Sequence, residues 1–157
     1  YIANSDGSIV AYGDETHGDP SSKIIEKARF QLPAEFAGAS VGMNMTYDGW
    51  IIFPLETGTM IAVSPDLTQF RSIAMKHSDT DDTETHGVGY GWVRNSIAID
   101  KDGGIYAVSR NHMHKIIWNG DQFSTDEADG AWTAQYRNGH IAARHLCSKT
   151  MYLQRGH

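Results

Sequence analysis

His112 and His114 stand two residues apart, so in an extended strand both imidazoles point to one side. Neutral imidazoles so placed suit zinc or copper, whereas calcium asks for oxygen ligands. A third protein ligand is needed, and His86 or Asn95 is what the chain offers. A divalent metal is the one cofactor that these residue types suggest. The plainer reading leaves both histidines on a solvated turn and strand edge, since two histidines with no fixed third spacing are weakly specific. A second acidic set, Asp79, Asp81, Asp82 and Glu84, presents hard oxygens at alternate positions. It lacks the central glycine and terminal glutamate spacing of an EF-hand, so a solvated charged loop is the plainer account.

Tyr90 and Trp92 sit among Gly87, Gly89 and Gly91 and are followed by Arg94 and Asn95. These four residues make a candidate ligand-binding set: two rings that can stack on a sugar or an aromatic ligand, and two polar groups beside them. The rings can equally plug an opening. No Ser-His-Asp order, phosphate-cradling glycine loop or nucleotide fingerprint is present, so no catalytic residue is assigned.

The elements that must position these residues are read from a repeat. Tyr47-Asp48-Gly49-Trp50-Ile51-Ile52-Phe53 returns 54 residues on as Lys101-Asp102-Gly103-Gly104-Ile105-Tyr106-Ala107. The turns Asp6-Gly7, Thr57-Gly58 and Asn111-His112 each join two short apolar runs at a similar interval. A unit of about fifty residues made of short strands is the mark of a propeller-like array. The expected fold class is all-β: a partial β-propeller of about two and a half four-stranded antiparallel blades. The chain opens inside a unit, at its second strand, and is expected to be a fragment of a ring of about six to eight blades.

Alternation and turn residues place the strands. Residues 1–33 form a partial blade, with strands at Tyr1–Asn4, Ser8–Gly13 and Glu26–Leu32; a short helix from Ser22 is the alternative to the last. Residues 41–76 form a full blade with strands at Gly42–Tyr47, Trp50–Glu56, Thr59–Ser64 and Phe70–Met75. Residues 93–137 repeat it at Ser96–Asp100, Ile105–Arg110, His114–Trp118 and Ala131–Tyr136. Blades thus occupy residues 1–139. Residues 140–157 lack alternation and read as a non-propeller tail, either a short helix or residues outside the native reading frame.

The run from Tyr1 to Tyr12 resembles the strand-turn-strand core of quinoprotein-like propeller repeats. The run from Asn95 to Tyr106 resembles the leading hairpin of gluconolactonase-like propellers, in which an Asn at the entrance of the first strand can ligate a divalent metal. Asn95 stands at a similar place; Val41 holds the matching position one unit earlier. The tryptophan that closes a quinoprotein repeat is missing from the first two units, so pyrroloquinoline quinone is not expected. Proteins sharing these hairpins include oxidoreductases, lactonases and plain scaffolds.

In such an array the loop entering the innermost strand and the turn between the second and third strands share one face, beside the central channel. That gathers His86, Tyr90, Trp92, Arg94 and Asn95 with Asn111, His112 and His114. Two functions are expected of it: a small-molecule or metal-assisted site at the channel mouth, or a non-catalytic protein-binding or scaffold propeller. A small molecule or a protein is the expected partner, together with the remainder of the ring.

Composition sets the other bounds. The formal charge is −6, from 13 Lys+Arg against 19 Asp+Glu, and the cations are scattered, which argues against nucleic-acid binding. Cys147 is the single cysteine, so neither a disulfide framework nor a cysteine zinc site is available. The longest apolar run, Trp50 to Leu55, is far too short to span a bilayer, and no membrane partner is expected. An isolated fragment would leave strand edges unpaired and is expected to self-pair or aggregate.

Overall fold

A computed structural model describes residues 1–40, 42–75, 96–108 and 112–135. They form three antiparallel sheets, and the strands follow one another in space in the order of the chain. The first sheet contains β1 (Ile2–Ala3), β2 (Ser8–Asp14) and β3 (Ile24–Gln31). The second contains β4 (Asn44–Met45), β5 (Ile51–Pro54), β6 (Thr59–Val63) and β7 (Phe70–Ala74). The third contains β8 (Ala98–Ile99), β9 (Gly104–Val108), β10 (His112–Trp118), β11 (Phe123–Ser124) and β12 (Trp132–Gln135).

Every expected strand of the described residues is present, several of them shorter than expected. The helix considered from Ser22 is not formed; β3 begins at Ile24 and pairs along β2 with a bulge between Ala11 and Tyr12. The last strand of the third sheet is split. Asp126 accepts the Ala128 N–H at 2.9 Å, starting a 3-10 turn at Glu127–Asp129 that Gly130 closes at φ 90°. The two pieces, β11 and β12, then lie along the same edge of β10.

An Asp-Gly hairpin of two turn residues would need positive φ at both, and these turns do not have it. Gly49 (φ 89°) and Gly103 (φ 87°) do, but the aspartates before them do not. This is the turn followed by a single left-handed glycine that forms a bulge. The repeat extends to the hydrogen bonds. Trp50 N–H donates to the Thr46 hydroxyl at 2.9 Å, and Gly104 N–H donates to the Asp100 carboxylate at 2.8 Å from the matching position.

The sheets stack with the second in the middle. Alternate residues of β5 and β6 point to opposite faces. Ile51, Phe53, Ile61 and Val63 join Ile9, Leu32 and Phe30 in a core shared with the first sheet. Ile52, Met60 and Ala62 join Ile97, Ile105, Ala107, Ile116 and Trp118 in a core shared with the third. β5 is therefore buried at all four positions, as a strand covered on both sides must be.

Candidate functional site

His112 and His114 are the two candidate residues whose positions are described. Arg94, Asn95, Tyr90, Trp92 and His86 lie outside the described residues, as do Asn111, the acidic loop and the tail. His112 does not sit in a turn: it is the first residue of β10, two residues earlier than the expected strand start. Neither histidine is solvated. They are 0% and 1% exposed, which overturns the reading of a wet turn and strand edge.

Their parity explains why. Along β10 buried and half-buried residues alternate, and His112, His114, Ile116 and Trp118 occupy the buried face. Ile116 and Trp118 belong to the core shared with the second sheet, so the two imidazoles face the space between sheets. Both do point to one side, as their spacing requires, with ring centroids 6.0 Å apart. His114 pairs in register with Ala107 on one side and Thr133 on the other. Its Nδ1 lies 3.2 Å from the Thr133 hydroxyl, which fits a ring held by the neighbouring strand. Among the described residues, no three His, Cys, Asp or Glu side chains gather as a metal site would need.

The far end of the same interface is aromatic. Trp50 and Trp118 have centroids 4.9 Å apart, and Phe123 meets Trp118 edge-on at 4.9 Å. Arg71, on the outer strand of the second sheet, lies over the Trp50 ring at 5.7 Å and donates to Asp121 of the third sheet at 2.7 Å. Nothing in the sequence signals the Arg71–Asp121 clasp. The inner ends also meet: the Asn44 amide donates to the Ile97 carbonyl at 3.3 Å, and a methyl on Gly42 would collide with Ser96.

The acidic side chains with displaced titration serve turns and surface pairs. Hydrogen bonds from Ser8 hold the Asp6 carboxyl below its usual range, and bonds from Ser64 and Thr68 do the same for Asp66. At Asp100, burial alone would raise the pKa. The N–H groups of Gly104 and Asp102, the Tyr106 hydroxyl and the charge of Lys115 together outweigh it and lower the value. Each of the three closes its own loop.

No helix of the described residues is long and apolar enough to cross a membrane. No protein-family profile matches the chain. It is 33% identical over 132 residues to an uncharacterized protein of Archaeoglobus fulgidus, a match that covers 83% of this chain and 23% of that protein. The chain thus spans about a quarter of the length of that curated relative.

Proposed function

We propose that the three sheets are successive blades of a β-propeller that works as a non-catalytic binding or scaffold module. The observation that carries this reading is the direction of His112 and His114. The side chains with the best metal-binding chemistry among the described residues are turned into the packing between sheets. The aspartates with lowered pKa values are engaged in turns. What such a module offers a partner is its loops and its exposed faces. The quinoprotein-like and gluconolactonase-like resemblances support the propeller architecture in this reading and not a reaction.

A second reading, a small-molecule or metal-assisted site at the channel mouth, draws on the meeting of Gly42 with Ser96, where the leading strands of two sheets converge. Arg94 and Asn95 immediately precede Ser96 in the chain. Calorimetric titration with zinc and with calcium separates the readings. The scaffold reading expects neither heat nor a rise in melting temperature. Stoichiometric uptake abolished by His114→Leu would overturn it in favour of a histidine site. Uptake abolished by Asn95→Ala and retained in His114→Leu would overturn it in favour of the channel mouth.

A further inference from the structure

Four Asp-Gly pairs and one Asn-Gly pair lie in turns of the described residues, and the glycine of each has positive φ. Such pairs share a slow reaction, in which the glycine nitrogen attacks the side-chain carbonyl carbon before it and closes a cyclic imide. Glycine leaves the attack unhindered because it has no side chain. An amide nitrogen held as a hydrogen-bond donor is poorly placed to swing round and give up its proton. In all four Asp-Gly pairs it is so held. Gly7 N–H donates to the Asn4 carbonyl at 3.0 Å, Gly49 to that of Thr46 at 3.0 Å, Gly103 to that of Asp100 at 3.3 Å and Gly130 to that of Glu127 at 2.9 Å. The Asn119-Gly120 pair is different: among the described residues, the Gly120 N–H finds no acceptor.

Asn119 opens the turn between β10 and β11, whose flanking residues Trp118 and Phe123 pair in register. A four-residue turn commonly sends its last N–H to its first main-chain carbonyl. Here the Gln122 N–H goes to the Asn119 side-chain oxygen at 2.8 Å, and the Asp121 N–H joins it at 3.0 Å. Two donors on that oxygen draw electron density from Cγ and stabilise the negative charge that attack would place there, as an oxyanion hole does. We infer that Asn119 is a site of spontaneous deamidation, with the Gly120 nitrogen as nucleophile and the N–H groups of Asp121 and Gln122 as oxyanion donors. The nitrogen loses its proton to hydroxide and bonds to Cγ; the Cγ–N bond of the side-chain amide breaks, and ammonia leaves with a proton from water. Water then opens the imide at either carbonyl, giving aspartate or isoaspartate at position 119. The aspartate product keeps an acceptor for the same two N–H groups, now charge-assisted. The isoaspartate product routes the main chain through the side-chain carbon and so lengthens the turn that holds Asp121 against Arg71. The reaction therefore bears on the link between the second and third sheets.

The test ages the chain at mildly alkaline pH, folded and in denaturing urea, and follows amide loss and isoaspartate by mass spectrometry of tryptic peptides. Cleavage after Lys115 and Arg137 leaves Asn119 as the sole asparagine of its peptide, apart from the Asn138-Gly139 pair outside the described residues. Asp102→Asn adds an internal control, an amide on an exposed turn whose following glycine N–H is held by a carbonyl. Circular dichroism checks that this variant keeps the wild-type fold. The rate in the folded chain divided by the rate in urea is expected to exceed one at Asn119, because only the fold supplies the two donors. At the introduced amide the same ratio is expected to fall well below one. A ratio of one or less at Asn119, measurable in the wild type alone, overturns the inference. So does an introduced amide whose ratio matches that of Asn119.

Discussion

Asp100 accepts the backbone N–H groups of Asp102 at 2.9 Å and Gly104 at 2.8 Å, and the Tyr106 hydroxyl at 3.1 Å. Its lowered pKa gives the stability of the third sheet a defined acid limb. A carboxyl whose folded pKa is depressed contributes fully above its unfolded value, about 4, and the contribution is lost as pH falls through the folded value. Asp100→Asn keeps an acceptor for the turn but loses the charge. The expected cost is about 1 kcal/mol at neutral pH, and chemical denaturation at a series of pH values should show the gap to wild type closing in acid. An undiminished gap at acid pH would mean that geometry and not charge is at stake. The sequence showed an Asp at this position as part of a repeat, but not its work. Thr46 does the same in the second sheet with a hydroxyl, so residue identity alone conceals the equivalence.

Between elements the firmest polar link among those described is Arg71. Its guanidinium donates to Asp121 and to the Phe70 carbonyl, and it covers the ring of Trp50. The pair is partly exposed, so its Coulomb share is screened and the stacking carries much of the effect. Arg71→Ala is expected to cost about 1 kcal/mol in urea denaturation, with Arg71→Lys recovering only part because an ammonium lacks the planar fork. Full recovery by lysine would show that charge alone holds the clasp. The strands were legible because short-range alternation and glycine turns fix them within one hairpin. The clasp was not, since it joins residues fifty apart through packing that no local period encodes. The histidines fall between these cases. Their common side follows from spacing, and their burial was also readable: Ile116 and Trp118 continue the same parity.

For the molecule as a whole, propeller blades and a flat stack differ in how the sheets spread. Blades fan out from an axis, so their outer strands stand farther apart than their inner ends. Spin labels on cysteines introduced in a Cys147→Ser background test this between the first and third sheets. An outer pair at Lys27 and Ala134 is expected to lie farther apart than an inner pair at Ser5 and Ser96. Equal separations would reject the fan. The architecture of three antiparallel sheets was accessible from sequence because each unit repeats its own turns. The angle between units was not, because it depends on how two faces settle against each other.

The second sheet, covered on both sides, raises a separate question of fidelity. Where a strand has one wet face, sliding by a single residue exposes its apolar set, and that penalty enforces the alignment. In β5 and β6 both parities are apolar, so a slipped pairing would still present oily surface to each neighbour. Hydrophobicity therefore cannot measure the alignment here. The ruler is the pair of turns that bracket β5: Thr46 and Gly49 at its entrance, and Leu55 and Gly58 at its exit, where Leu55 N–H closes on the Thr59 carbonyl at 2.8 Å. Two glycine turns thus decide which half of the molecule's oil each neighbouring sheet receives.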